Sequence, residues 1–223
     1  MTRIALIGGH GKTGRSVSAA LARRGVEPVA LGRADDLRTA LAGCAAAYLI
    51  APNMHPDEPA YVAGALAALL AAGVPRVVYH SVASPYLPRM PHHVGKAVSE
   101  DLVRRSGVDW TILQPGAYLQ NLDLSADLEV PYDLDAVFGF ADLAEVGEAA
   151  AVVLTEPGHV GATYELASRV ATVRQLAREA GVRATRVPNT ATGTLGAMFA
   201  YYDRHGLPVG TKILDLLLTR SAA

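Results

Sequence analysis

The stretch LIGGHGKTGR, residues 6–15, carries two loop patterns at once. Gly11-Lys12-Thr13 ends like the loop that cradles nucleoside triphosphates, but that loop needs its first glycine at position 6. Position 6 is leucine, inside an apolar run. The second pattern is complete: Gly8, Gly11 and Gly14 follow the run RIALIG (3–8) and head a helical pattern at 14–25. In a dinucleotide loop the first glycine makes the turn, the second admits the pyrophosphate, and the third lets helix and strand close up. Free N–H groups at the helix start then hold the phosphates. The residues expected to meet a dinucleotide are Gly8, His10, Gly11, Lys12, Thr13 and Gly14, with Pro52 and Pro115 at the ends of later strands.

Outward from this loop, apolar runs at 27–32, 45–51, 76–81 and 109–116 alternate with helical patterns at 35–43, 58–73 and 92–106. Such alternation predicts a doubly wound parallel sheet with right-handed crossovers, an α/β Rossmann-like fold. The pattern weakens after 117. Residues 117–135 read as acidic and irregular, followed by a helix at 141–154, a strand at 162–167 and a helix at 171–181. TLGAMFAYYDRHG and KILDLLL read as two short helices. The expectation is one domain over 1–223, with 117–135 and 188–223 forming a small cap over the carboxyl ends of the strands, where open α/β sheets bind ligands.

Composition narrows the function. The chain has 223 residues, 51% hydrophobic, and a net charge of −1, so nucleic-acid binding has no electrostatic support. Cys44 stands alone and no HExxH occurs among the seven histidines, so neither a disulfide nor a metal site is expected. The longest apolar run, 61–74, is too short for a membrane span. Met1 leads at once into a strand, and arginines far outnumber the three lysines Lys12, Lys96 and Lys212. A soluble cytoplasmic protein from a GC-rich bacterial genome, monomer or homodimer, is the expectation.

The second strand ends in LGRADD. Arg33 there suits the 2′-phosphate of NADP(H) and favours it over NAD(H), with Asp35 as an ordinary helix cap.

The pieces IALIGGHGKTG, GVPRVVYHSVAS, HHVGKAVSEDLVRRSGVDWTILQPGAYLQNL and FADLAEVGEAAAVVLTEPGHVGATYELAS resemble the NmrA-like group of atypical short-chain dehydrogenases. The resemblance implies an NADPH-dependent reductase of carbonyls or quinones acting on a small, aromatic substrate. The same group holds non-catalytic NADP(H) sensors, and a transient use of NADP(H) by an epimerase or isomerase is a third possibility. Short-chain dehydrogenases use Tyr-x-x-x-Lys on a helix; here Lys96 is in place but His92 stands where the tyrosine belongs. The resemblance assigns the nicotinamide ribose to Lys96; a surface pair with Glu100 is the alternative. His92 can donate a proton or point to water, leaving His93 inward. Ser81 and Tyr86 are the other candidate catalytic groups, and Tyr118 and Tyr201 are candidates to line a substrate pocket.

Overall fold

The structure, a computed structural model, describes residues 1–209 together with Leu214 and Leu217. Its first half alternates as the sequence predicts: β1 (Arg3–Ile7), α1 (Lys12–Arg23), β2 (Glu27–Leu31), α2 (Leu37–Ala40), β3 (Ala46–Leu49), α3 (Glu58–Ala71), β4 (Arg76–His80), α4 (Pro91–Arg104) and β5 (Asp109–Pro115). The second half runs β6 (Ala117–Tyr118), a 3-10 turn at Leu119–Asn121, β7 (Leu128–Val130), β8 (Val137–Ala141), α5 (Leu143–Thr155), β9 (Ala162–Leu166), β10 (Arg169–Thr172), α6 (Val173–Ala180), β11 (Ala184–Arg186) and α7 (Gly193–His205). The central sheet has six parallel strands in the order β2-β1-β3-β4-β5-β9. The chain steps from β1 to one side and then returns to the other, so the switch point lies between β1 and β3, where such sheets bind ligands.

Side-chain alternation along the strands sorts the core into two layers. Ile4, Leu6, Tyr48, Val78 and Leu113 face α1 and α5, packing on Val17, Leu21, Val146 and Ala150. Ala5, Ile7, Leu49, Val77, Tyr79 and Ile112 face α3 and α4, packing on Val62, Leu66, Leu69 and Val103. Leu214 and Leu217, buried, join the first layer. The rest of the helix expected in KILDLLL lies outside the described residues.

The region after 117 is more ordered than the sequence suggests. β6, β8 and β10 form a second sheet in the order β10-β8-β6, and β7 pairs with β11. A third core joins these pieces around Phe138, Phe140, Tyr202 and the neighbouring Tyr132. β8 escapes sequence reading because it is five residues long with Gly139 at its centre. A Cβ at Gly139 would lie 2.4 Å from that of Val209, so close packing selects glycine there. One local expectation is corrected. Asp36, not Asp35, caps α2 by accepting from the Arg38 N–H at 3.1 Å, while Asp35 accepts from the Gly32 N–H at 2.7 Å.

The loop glycines have separable reasons. Gly8 has φ +88°, and a Cβ there would lie 2.7 Å from the Ile50 carbonyl oxygen. A Cβ at Gly14 would lie 2.5–2.6 Å from three backbone atoms of Gly8 and Gly9. A Cβ at Gly11 would meet only the Gly8 oxygen, at 3.4 Å. Gly14→Ala is therefore expected to destabilise the fold by about 1–3 kcal/mol, and Gly11→Ala by less than about 1 kcal/mol. Urea unfolding of both variants checks this; equal losses would contradict it.

Candidate functional site

The turn from β1 into α1 leaves the first helical N–H groups without intrahelical acceptors. Gly11 occupies the cap position, no side chain caps the helix, and no acid stands in its first turn. The result is a positive helix terminus with open space above Gly11, at the switch point, as a bound phosphate requires. The His10 ring lies over Gly32, and the His10 carbonyl accepts from Arg15. Arg33 is exposed at the end of β2 and has no ion-pair partner among the described residues. Pro52 lies in the loop after β3, where its carbonyl accepts from the His55 N–H, and buried Pro115 ends β5 with its carbonyl bonded to the Ala83 N–H at 2.8 Å.

Next to this loop, the carboxyl end of β4 carries polar groups on both faces. On the α3/α4 face, Lys96 is buried and donates to Glu58 Oε1 at 2.7 Å and to the His80 carbonyl at 3.0 Å. It is thus neither a surface lysine nor paired with Glu100. Tyr79 donates to the same Glu58 oxygen at 2.7 Å, and Lys96 stands over the Tyr79 ring. His92, one helical turn before Lys96, turns inward with Nδ1 4.0 Å from Glu58 Oε2. That Oε2 is buried and has no hydrogen-bond partner. The shared helix face expected of His92 and Lys96 is present, directed at an acid that sequence reading missed.

Glu100 does other work. It is buried and accepts from Ser81 at 2.5 Å, Gln114 at 2.7 Å and Arg104 at 3.0 Å. The Ser81 hydroxyl is thereby committed to the interior. His93 is also buried, with Nδ1 bonded to the carbonyl of Ser84, a residue held at a left-handed φ of 51°. Tyr86 is 68% exposed in the same loop. Tyr201 packs on the His205 ring and, with Arg89 and Arg204, lines a cavity of about 180 Å³ beside α7.

On the α1/α5 face, His80 bridges two tyrosines. Tyr48 Oη lies 2.6 Å from His80 Nδ1, and Tyr118 Oη lies 3.0 Å from His80 Nε2. Thr13, in the first turn of α1, donates to Tyr118 Oη at 3.3 Å. The chain thus runs from the core to the phosphate loop. Sequence offered faint signals for the missed groups: Glu58 is the one charge in α3, and His80 is a polar residue in an apolar strand.

Comparison with known proteins supplies the family. Residues 32–157 match the NAD(P)H-binding family model, more than half of the chain. The chain belongs to the NAD(P)H-binding family. It is 30% identical over 152 residues to an NAD(P)H azoreductase of Xenophilus azovorans, across 63% of this chain and 52% of that protein. It is 31% identical over 154 residues to quinone oxidoreductase 2 of Escherichia coli K12, across 64% and 52%. The chain therefore matches about half the length of these curated relatives. The crystal structure of the E. coli NADPH-dependent quinone oxidoreductase with NADPH superposes at TM-score 0.79, with 22% identity, over 97% of this chain and 94% of that one. NmrA, a negative transcriptional regulator in complex with NAD, superposes at 0.73 with 18% identity, over 91% and 81%. The Rossmann-like fold implied by the NmrA resemblance is the fold observed. Among the described residues no helix is long and apolar enough to cross a membrane, and no cluster of three metal-ligating side chains occurs.

Burial also sets a pH dependence. Burial pushes His80 down to about 3 and His93 down to about 4 from the ordinary 6.5, with Lys96 adding to both. Folded pKa values below the unfolded value mean that the unfolded chain binds more protons, so stability falls as pH drops below 6.5 toward these values. At about pH 5 the two histidines together cost about 4 kcal/mol relative to neutral pH. Urea unfolding at the two pH values measures this. His93→Gln, neutral throughout, is expected to remove about half of that loss.

Proposed function

We propose that the protein is an NADPH-dependent oxidoreductase that reduces a small carbonyl or quinone-like compound, aromatic in character. The observation that carries this reading is the uncapped start of α1 at the switch point of the sheet, where a side chain at Gly11 would meet only the Gly8 oxygen. The two curated relatives, an azoreductase and a quinone oxidoreductase, support it.

Each residue has a task. The N–H groups of Lys12, Thr13 and Gly14 hold the pyrophosphate, with Gly8 and Gly14 fixing the turn and His10, Pro52 and Pro115 walling the cleft. Arg33 meets the 2′-phosphate and selects NADPH over NADH. An ammonium has three hydrogens, and Lys96 uses two of them on Glu58 and the His80 carbonyl. The third is left for the nicotinamide ribose. When bound, the reduced nicotinamide supplies hydride. Residues 117–135 and 188–209, including Tyr201, form the substrate side of the cleft as a cap.

Gly11→Val is expected to fold but to lose NADPH binding in calorimetry, because its side chain fills the phosphate space. Arg33→Ala removes a charge-assisted contact of about 1.5–3 kcal/mol, weakening NADPH roughly ten-fold or more and leaving NADH nearly unchanged. Equal losses for the two cofactors would refute the 2′-phosphate assignment. Wild-type protein is expected to consume NADPH with members of a panel of quinones and aromatic ketones. Tight NADPH binding with no turnover across that panel would count for the sensor reading instead.

A further inference from the structure

The hydrogen bonds around His80 give the chain from Tyr48 to Tyr118 a direction. Tyr48 is fully buried, and among the described residues its hydroxyl has one hydrogen-bond partner, His80 Nδ1, at 2.6 Å. A buried hydroxyl hydrogen needs an acceptor. Tyr48 therefore donates to Nδ1, and the one hydrogen of the neutral His80 ring is on Nε2. That Nε2–H donates to Tyr118 Oη at 3.0 Å, and the Thr13 hydroxyl donates to the same oxygen at 3.3 Å. Both lone pairs of Tyr118 Oη are thus taken. With Thr13 as the donor of that pair, the Tyr118 hydrogen is left without a further acceptor among the described residues, and the ring is only partly buried.

We infer that Tyr118 is the proton donor of the reduction, oriented by His80 and Tyr48 beneath it. The inference rests on the reductase reading above. It places the donor at the mouth of the phosphate loop, on the opposite face of β4 from His92. When bound, the cofactor would supply the hydride: its nicotinamide C–H bond would break, leaving the ring oxidised, as a C–H bond formed at the substrate carbonyl carbon. The C=O π electrons move to oxygen. The O–H bond of Tyr118 breaks as the new O–H bond forms on that oxygen. The Tyr118 phenolate left behind keeps two hydrogen bonds, from His80 and Thr13, and regains its proton from water. His80 and Tyr48 do not relay the proton further, because that would leave a phenolate on Tyr48 in the apolar core. They are positioning residues. Burial raises the Tyr118 pKa, so the phenol is protonated near neutral pH.

Two measurements test this, one of them independent of turnover. Long-range ¹H–¹⁵N spectra of the ligand-free protein are expected to show His80 protonated on Nε2; protonation on Nδ1 would overturn the proton assignment. Tyr118→Phe keeps the ring and removes the proton. It is expected to lower kcat about a hundred-fold while the KM for NADPH stays within about two-fold, and to abolish the solvent deuterium isotope effect on kcat. Wild-type kcat in this variant would overturn the inference, whereas a rise in KM at unchanged kcat would make Tyr118 a binding residue only and also overturn it. Tyr48→Phe leaves Tyr118 intact. It removes the hydrogen bond that orients the His80 ring and is expected to lower kcat about ten-fold, the worth of one hydrogen bond, with NADPH affinity unchanged. If the wild-type protein reduces no ketone or quinone, the reductase reading fails, and the His80 spectrum still decides whether Tyr118 is built as a donor.

Discussion

The buried pair of Glu58 and Lys96 holds the end of the sheet together. One residue opens α3, the other lies in α4, and both reach β4, through the Tyr79 hydroxyl and the His80 carbonyl. Burying two charges is costly, and the cost is offset only by close geometry and further hydrogen bonds. Here both are present, since Glu58 Oε1 accepts from Lys96 and Tyr79 at 2.7 Å each. Breaking such a pair from one side leaves an uncompensated charge and costs about 3–5 kcal/mol. The same lysine therefore fixes the scaffold and offers its remaining hydrogen to the cleft. In the function proposed above, a role in stability and a role toward the cofactor coexist in one side chain.

The alternation of a strand divides the labour on either side of β4. Tyr79 faces the layer with α3 and α4, and the His80 ring faces the layer with α1 and α5. The acidic and cationic groups thus collect on one face, and the neutral hydrogen-bonded chain of Tyr48, His80 and Tyr118 on the other. Burial and the nearby Lys96 both keep His80 neutral. A neutral imidazole donates one hydrogen and accepts one, which is what lets it set the direction of the chain.

What the sequence shows and hides follows from the range of each interaction. The loop at 8–14 is legible because its glycine spacing is local, with Gly11 and Gly14 answering to Gly8 and Gly9, and the strands are legible because a parallel sheet buried on both faces writes continuous apolar runs. Lys96 stands out by its spacing from position 92. Its partner does not, because Glu58 meets it only after α3 and α4 pack together. The tail sheet is hidden for a related reason: β6, β8 and β10 are each five residues or fewer, and a short strand is specified by its partners more than by its own pattern. The order of 117–135 likewise comes from Tyr132 and its aromatic neighbours in α7 and β8, far along the chain.

The histidine at position 92 then has a physical explanation. In the motif that the helix resembles, that position carries the proton donor. Here it points at Glu58 Oε2 from 4.0 Å, and burial together with Lys96 lowers its pKa despite the opposing pull of Glu58. A histidine held neutral in that way is a poor acid near neutral pH. It serves the electrostatics around Glu58, the one buried carboxylate there with an unpartnered oxygen. In the inference drawn above the proton comes from across the strand, where the Tyr118 oxygen lies within hydrogen-bond distance of both His80 and Thr13. Under that inference, lysine and proton donor do not share one helix face. They approach the cleft from the two faces of β4, and His80 touches both, with its carbonyl on Lys96 and its ring on Tyr118.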